Sequence, residues 1–257
     1  MNVIAIVFFY LVLQMCFVWM VYRVLKNPSV VDTSWSIGLL ISGLIYLGTM
    51  PITPRITVVG ALLTLWALRL AAYLWYTRIL QGHVDKRYTE LSNNWKINQA
   101  LGFFLNFQLQ GLLIFIISFL FYLISNTNNS SLTGIDVMAI IMVLVGILGE
   151  TVADLQLYRF KIRQKGGVCN KGLWNYSRHP NYFFDWLTWL GFTVFAFQSN
   201  NGYFGIVSLL VLYLIFTQIT APLTERGSVQ SRGQKYIDYQ KRTSMFFPWF
   251  KKKSDSE

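Results

Sequence analysis

Residues 3–25 read VIAIVFFYLVLQMCFVWMVYRVL, an apolar run with no charge before Arg23. A helix needs about 20 mostly apolar residues to cross a bilayer, and only a helix satisfies its own backbone there. No basic segment precedes the run and no small-residue cleavage site comes after it, so it is expected to be a retained membrane helix rather than a signal peptide. Working outward, further runs occur at about 34–51, 56–79, 101–125, 135–158, 181–199 and 203–224. The expected fold class is therefore an all-α, polytopic membrane helix bundle with about seven transmembrane helices. It is expected to form one domain over 1–257, with an amphipathic cytoplasmic tail at 225–257.

Composition agrees: 54% of the chain is hydrophobic and only 13% charged, too apolar for a soluble domain. The net charge of +11 does not point to nucleic acid, because the charges lie between apolar runs instead of along one polar face. All basic residues except Arg55 and Arg69 fall in alternate connections or the tail. The positive-inside rule then places the N-terminus outside and the C-terminus in the cytoplasm. The cytoplasmic connections hold Arg23 and Lys26; Arg78, Lys86, Arg87 and Lys96; and Arg159, Lys161, Arg163, Lys165, Lys171 and Arg178. The tail adds Arg226, Arg232, Lys235, Lys241, Arg242 and Lys251 to Lys253. Two cysteines, Cys16 and Cys169, make neither a disulfide framework nor a metal signature, and no metal is expected.

Polar groups at membrane depth are costly and therefore point to function. Glu150, Asp154, Tyr158 and Lys161 recur at steps of four, four and three, which puts them on one helical face. The functional account is a face lining a polar cavity, the acids holding hydroxyls or amides of a ligand. The structural account is an internal ion pair, with Arg69 as partner. Asn181, Asp185 and then Thr188 or Trp189 form a second face, entered through Arg178 and His179. Pro180 suits the first helical position, and the free N–H groups of that turn can hold an anion such as phosphate. Asp32 sits at a helix entrance just before Ser34 and Trp35. It serves either as an N-cap or, in apolar surroundings, as a carboxyl of raised pKa able to donate a proton. Gln108 and Gln110 are weaker candidates, and His83 is expected to be solvated. In the tail, Tyr236 and Tyr239 lie one turn apart ahead of FFPWF, which suits an amphipathic helix on the bilayer, a lid over ligand phosphates, or both.

Three ordered motifs, GETVADLQLYRFK (149–161), KGLWNYSRHPNYFFDWLTW (171–189) and YIDYQKRTSMFFPW (236–249), carry a family resemblance. DTSWSIG (32–38) and LWALRLAAYLWYTR (65–78) extend it. The chain resembles the membrane family called domain of unknown function 1295, grouped with the steroid 5-alpha-reductase C-terminal domain and similar to sterol C14- and C24-reductases. The resemblance implies an NADPH-dependent oxidoreductase that reduces an activated C=C bond of an enone in a lipophilic, steroid- or lipid-like substrate. It places cofactor contacts at Glu150, Asp154, Lys161, Arg163, Tyr176, Arg178, His179, Asn181, Tyr182, Asp185 and Tyr239. It places Asp32, Trp35 and Trp66 on the substrate, with Asp32 and Asp185 as catalytic groups. Glu150, Asp185 and Lys161 stand where the animal steroid enzymes carry Asn, Glu and Arg. Val31 and Trp66 stand where those enzymes carry Gln and a carbonyl-bonding Tyr. The implied partners are a lipophilic small molecule and the bilayer, with no protein partner, and the implied location is the bacterial cytoplasmic membrane. The alternatives are a membrane methyltransferase of the isoprenylcysteine or phospholipid type, using S-adenosylmethionine, and a lipid-binding membrane protein without turnover.

Overall fold

The structure, a computed structural model, describes residues 2–93, 95–127, 131–164 and 166–251. Lys165, Lys252 and Lys253 of the basic runs, and the end of the expected tail 225–257, lie outside the described residues. Among the described residues every regular element is helical and no strand is present. Six helical stretches are long and apolar enough to cross a membrane: Val3–Leu25, Val30–Leu47, Pro54–Leu80, Gln99–Ser125, Gly134–Arg163 and Gly202–Arg232. The chain is an integral membrane protein. The expected sixth span falls on the helix Pro180–Ala196, whose 17 residues leave it outside these six, so about seven expected spans become six among the described residues.

We name the helices in chain order: α1 (Val3–Leu25), α2 (Val30–Leu47), α3 (Pro54–Leu74), α4 (Lys86–Asn93), α5 (Gln99–Ser125), α6 (Gly134–Arg163), α7 (Pro180–Ala196), α8 (Ile206–Leu214), α9 (Ala221–Arg232) and α10 (Gln234–Arg242). A π-helical turn, Trp75–Leu80, prolongs α3, and another, Ile215–Thr220, joins α8 to α9. The last membrane helix therefore carries through Glu225 to Arg232. Gly233, at φ +56, allows the break before α10. The short, charged α4 was not expected from the sequence.

The chain divides into two compact units, Met1–Ile140 with Phe192–Val211, and Ile141–Gly191 with Leu212–Glu257. In the first unit α2 is central, packing on α1, α3 and α5. Small residues allow this: a Cβ on Gly43 would stand 2.5 Å from Leu63 of α3 and 2.9 Å from Phe121 of α5. Buried Ser36 and Ser42 keep the same helix slim. The helix begins earlier than expected. Asn27 Oδ1 accepts the Ser29 N–H at 3.0 Å, Ser29 is the N-cap, and Asp32 falls in the first turn instead of capping it. At the opposite end, Arg55 and Asp136 are both fully buried and paired at 3.0 Å.

In the second unit α6 and α7 approach closely. A Cβ on Gly146 would meet the Thr188 backbone N at 2.7 Å and the Phe184 carbonyl at 2.8 Å, and one on Gly149 would enter the Phe184 ring. Glycines at these positions bring the Glu150–Asp154 face of α6 against the start of α7.

Candidate functional site

The continuous helix α6 carries Glu150, Asp154, Tyr158 and Lys161 on one face, graded from buried acids through half-buried Tyr158 to exposed Lys161. Helix α7 starts at Pro180, where proline lacks nothing because the first N–H groups have no intrahelical partner. Asn181 and Asp185 come one turn apart, both half-buried. The two faces meet: Asn181 Nδ2 donates to Asp154 Oδ1 at 3.3 Å. The other end of that amide, Asn181 Oδ1, is buried and has no hydrogen-bond partner. A buried acceptor left unmatched costs about 1–3 kcal/mol, which a ligand carrying an N–H or O–H donor relieves.

Beside this face, the loop before α7 is bound to the segment after α10. Arg178 Nε and Nη2 grip Glu225 Oε1 and Oε2 at 2.6 and 3.1 Å, a bidentate fork. Arg178 Nη1 donates to the carbonyls of Gln240 (3.0 Å) and Thr243 (2.7 Å). His179 Nε2 lies 3.0 Å from Glu225 Oε1, and Gln240 Nε2 donates to Oε2 at 2.7 Å. Tyr239 donates its hydroxyl to the Trp174 and Ser177 carbonyls. Burial pushes its phenol up, so it stays protonated as that donation requires. His179, Tyr182 and Phe216 stack in parallel with centroids 5.0 and 5.1 Å apart.

Several residues that the resemblance puts on the cofactor make contacts within the chain. The Arg178 guanidinium bonds one carboxylate and two carbonyls. His179 and Tyr239 are likewise engaged in holding the loop and tail together. Exposed Lys161 and Arg163 remain at the end of α6. Tyr176 is exposed at 41% and packs edge-on to Phe250. Glu225 is the hub that sequence reasoning missed. It is a single acid whose partners lie 46 and 47 residues upstream, a separation no local motif encodes.

In the first unit, Asp32 does not sit in the apolar surroundings expected of a proton donor. Its carboxylate pairs with Arg78 and with Arg87 (3.2 Å), and it accepts the Tyr88 hydroxyl at 2.7 Å. Asp85 closes the cluster at 3.0 Å from both arginines. Burial pushes the Asp85 carboxyl up, but Arg87 and then Arg78 outweigh it and hold it well below the ordinary carboxylate range. The physical reason is that acids near a helix entrance recruit whatever cations the fold supplies, and here the π-turn and α4 supply two. Trp66 is fully buried, Trp35 and Arg69 are half-buried, and His83 is exposed. Gln108 Nε2 lies 3.5 Å from Cys16 Sγ of α1, and Gln110 Nε2 donates to Asn106 on its own helix at 2.8 Å.

Burial lowers the pKa of His179 below its ordinary value of 6.5, and the Glu225 hydrogen bond only partly opposes this. The unfolded chain therefore takes up a proton more readily than the folded one as pH falls through that value, and stability falls with it. Thermal unfolding in detergent should be flat above about pH 7 and decline toward about pH 5, and His179→Gln should flatten the slope. Asp85, whose folded pKa is depressed, contributes stability that is lost only at pH below its unfolded value of 3.8. The two contributions separate on the pH axis.

A family model described as "Protein of unknown function (DUF1295)" matches residues 18–243 of the chain. No curated protein and no solved structure matches it.

Proposed function

The chain belongs to the DUF1295 family, and we propose that it is a membrane-bound reductase using NADPH to reduce an activated C=C bond in a lipophilic enone. We place it in the bacterial cytoplasmic membrane, with the α6–α7 face toward the cytoplasmic side. The observation that carries the proposal is the buried, unpartnered Oδ1 of Asn181 beside the buried carboxylate of Asp154. Together they present acceptors at a point too enclosed for an ordinary surface amide. A carboxamide NH2, such as that of a nicotinamide, has two donors and matches this demand.

Asp154 fixes the Asn181 amide from one side, so its free oxygen is oriented before any ligand arrives. Glu150 lies one turn before Asp154 on α6 and Asp185 one turn after Asn181 on α7; the helices run antiparallel here, so both acids extend the polar face in the same direction, away from Lys161. Exposed Lys161 and Arg163 fit the phosphate end, where cations on a solvent-facing helix terminus suit a charged ligand. Arg178 is left to hold the tail. When bound, NADPH supplies a hydride; the chain's own work is to orient the ring and exclude water. Asp32 is not assigned proton donation, because Arg78, Arg87 and Tyr88 already hold its carboxylate.

The test is ligand-induced stabilisation of detergent-purified protein by NADPH, NADH and S-adenosylmethionine. NADPH should raise the melting temperature, and Asn181→Ala should weaken its binding about tenfold, the loss of one buried hydrogen bond worth about 1.4 kcal/mol. Stabilisation by S-adenosylmethionine alone would make the protein a methyltransferase. Silence toward all three would leave a lipid-binding protein.

A further inference from the structure

The segment after α10 has two faces of opposite character. Phe246 is buried at 4% exposure among Phe183, Trp186 and Tyr213, with ring centroids 6.0, 6.1 and 5.4 Å away. Trp186 lies on α7 and Tyr213 on α8, so this plug fixes residues 247–251 against those helices. The backbone is fixed too. Arg178 N–H donates to the Ser244 carbonyl at 2.8 Å, and Ser177 Oγ donates to the Phe246 carbonyl at 2.8 Å. Trp249 N–H donates to the Tyr176 carbonyl at 2.9 Å.

The outward face is apolar. Phe247, Trp249 and Phe250 are exposed at 48, 70 and 78%. In sequence these aromatics are flanked by Lys241 and Arg242 on one side and by Lys251, Lys252 and Lys253 on the other, with no acid between Lys241 and Lys253. Upstream, α10 buries Tyr236 and Tyr239 and leaves Lys235, Lys241 and Arg242 exposed. Large aromatics held rigidly at the end of a membrane bundle and bracketed by cations match an interface that is apolar below and negatively charged above.

We propose that Phe247, Trp249 and Phe250, with Lys241, Arg242 and Lys251, form a preorganised anchor for the anionic headgroup layer of the bilayer. Because hydrogen bonds to the loop 176–178 already set the backbone, little ordering remains to oppose contact. The anchor makes no use of the α6–α7 polar face and stands independently of the proposed reductase activity.

The test uses the full chain in nanodiscs of phosphatidylcholine alone and of phosphatidylcholine with about one third phosphatidylglycerol. Hydrogen exchange of the amides in 244–251 is compared at low and high salt. Each basic group at the surface contributes about fivefold, so exchange should be slower in the anionic discs by at least that factor. High salt should erase the difference. The variant Trp249→Ser/Phe250→Ser should lose the protection while unfolding at the same temperature, since neither side chain takes part in the Glu225 contacts. Replacing Lys241, Arg242 and Lys251 with Gln should remove the lipid dependence alone. Equal exchange in the two discs, or unchanged protection in the aromatic double variant, overturns the proposal.

Discussion

Glu225→Ala is expected to destabilise the protein by about 3–5 kcal/mol, the scale for removing one partner of a buried ion pair. Four hydrogen-bonding contacts converge on this carboxylate: two from the Arg178 fork, one with His179 and one from Gln240. Alanine would leave a guanidinium with 12% of its side chain exposed and a nearly buried imidazole facing a space without charge. Glu225→Gln should fall between, since it keeps the shape but sets an NH2 against donors. The readouts are the detergent melting temperature and protease sensitivity of 234–251, both taken without ligand. A melting temperature near that of the wild type would show that the contacts at Glu225 do not hold the tail. A loss visible only with NADPH present would instead make Glu225 a ligand-binding group.

A loss of similar size, about 3–5 kcal/mol, is expected from Arg55→Met, in the other unit. Arg55 and Asp136 are both fully excluded from solvent. Arg55 also donates to the carbonyls of Ile124 and Phe195, and Asp136 also accepts from Gln198 Nε2 (2.7 Å) and from the Thr133 backbone (2.9 Å). Methionine preserves bulk but leaves a buried carboxylate without its counter-ion. The double variant Arg55→Met/Asp136→Leu should recover part of the loss, because replacing both members of a buried pair is often nearly neutral. Recovery should be incomplete, since Thr133 and Gln198 lose their acceptor. Melting temperatures of the two single variants and the double variant give the coupling directly; strict additivity would mean that the two charges do not depend on each other.

The features legible in the sequence are those with a period. The apolar run of α1 ends where the sequence places it, at Leu25, and the α6 stripe from Glu150 to Lys161 comes from steps of four, four and three. Pro180 marked the first residue of α7. The features that stayed hidden depend on distance along the chain. Asp32 read as either a cap or a proton donor because its arginines stand 46 and 55 positions away, on a π-turn and on a helix of eight residues. The pairing of Arg178 with Glu225 was hidden for the same reason: the two stand 47 residues apart. The empty acceptor on Asn181 is a matter of rotamer and burial, which no residue pattern specifies.

The contacts of Arg178 also impose an order on biosynthesis. Its partners Glu225, Gln240 and Thr243 lie 47, 62 and 65 residues downstream. At a translation rate of about 5–20 residues per second, the ribosome needs about 3–13 s to reach the last of them. For that interval the loop ahead of α7 has emerged with its guanidinium still hydrated, and α7 enters the bilayer before the groups that secure its entrance exist. A nascent chain arrested before Glu225 would expose an unpaired Arg178, and one arrested before Phe246 would leave Phe183, Trp186 and Tyr213 uncovered, surfaces that membrane quality control can distinguish from the finished protein.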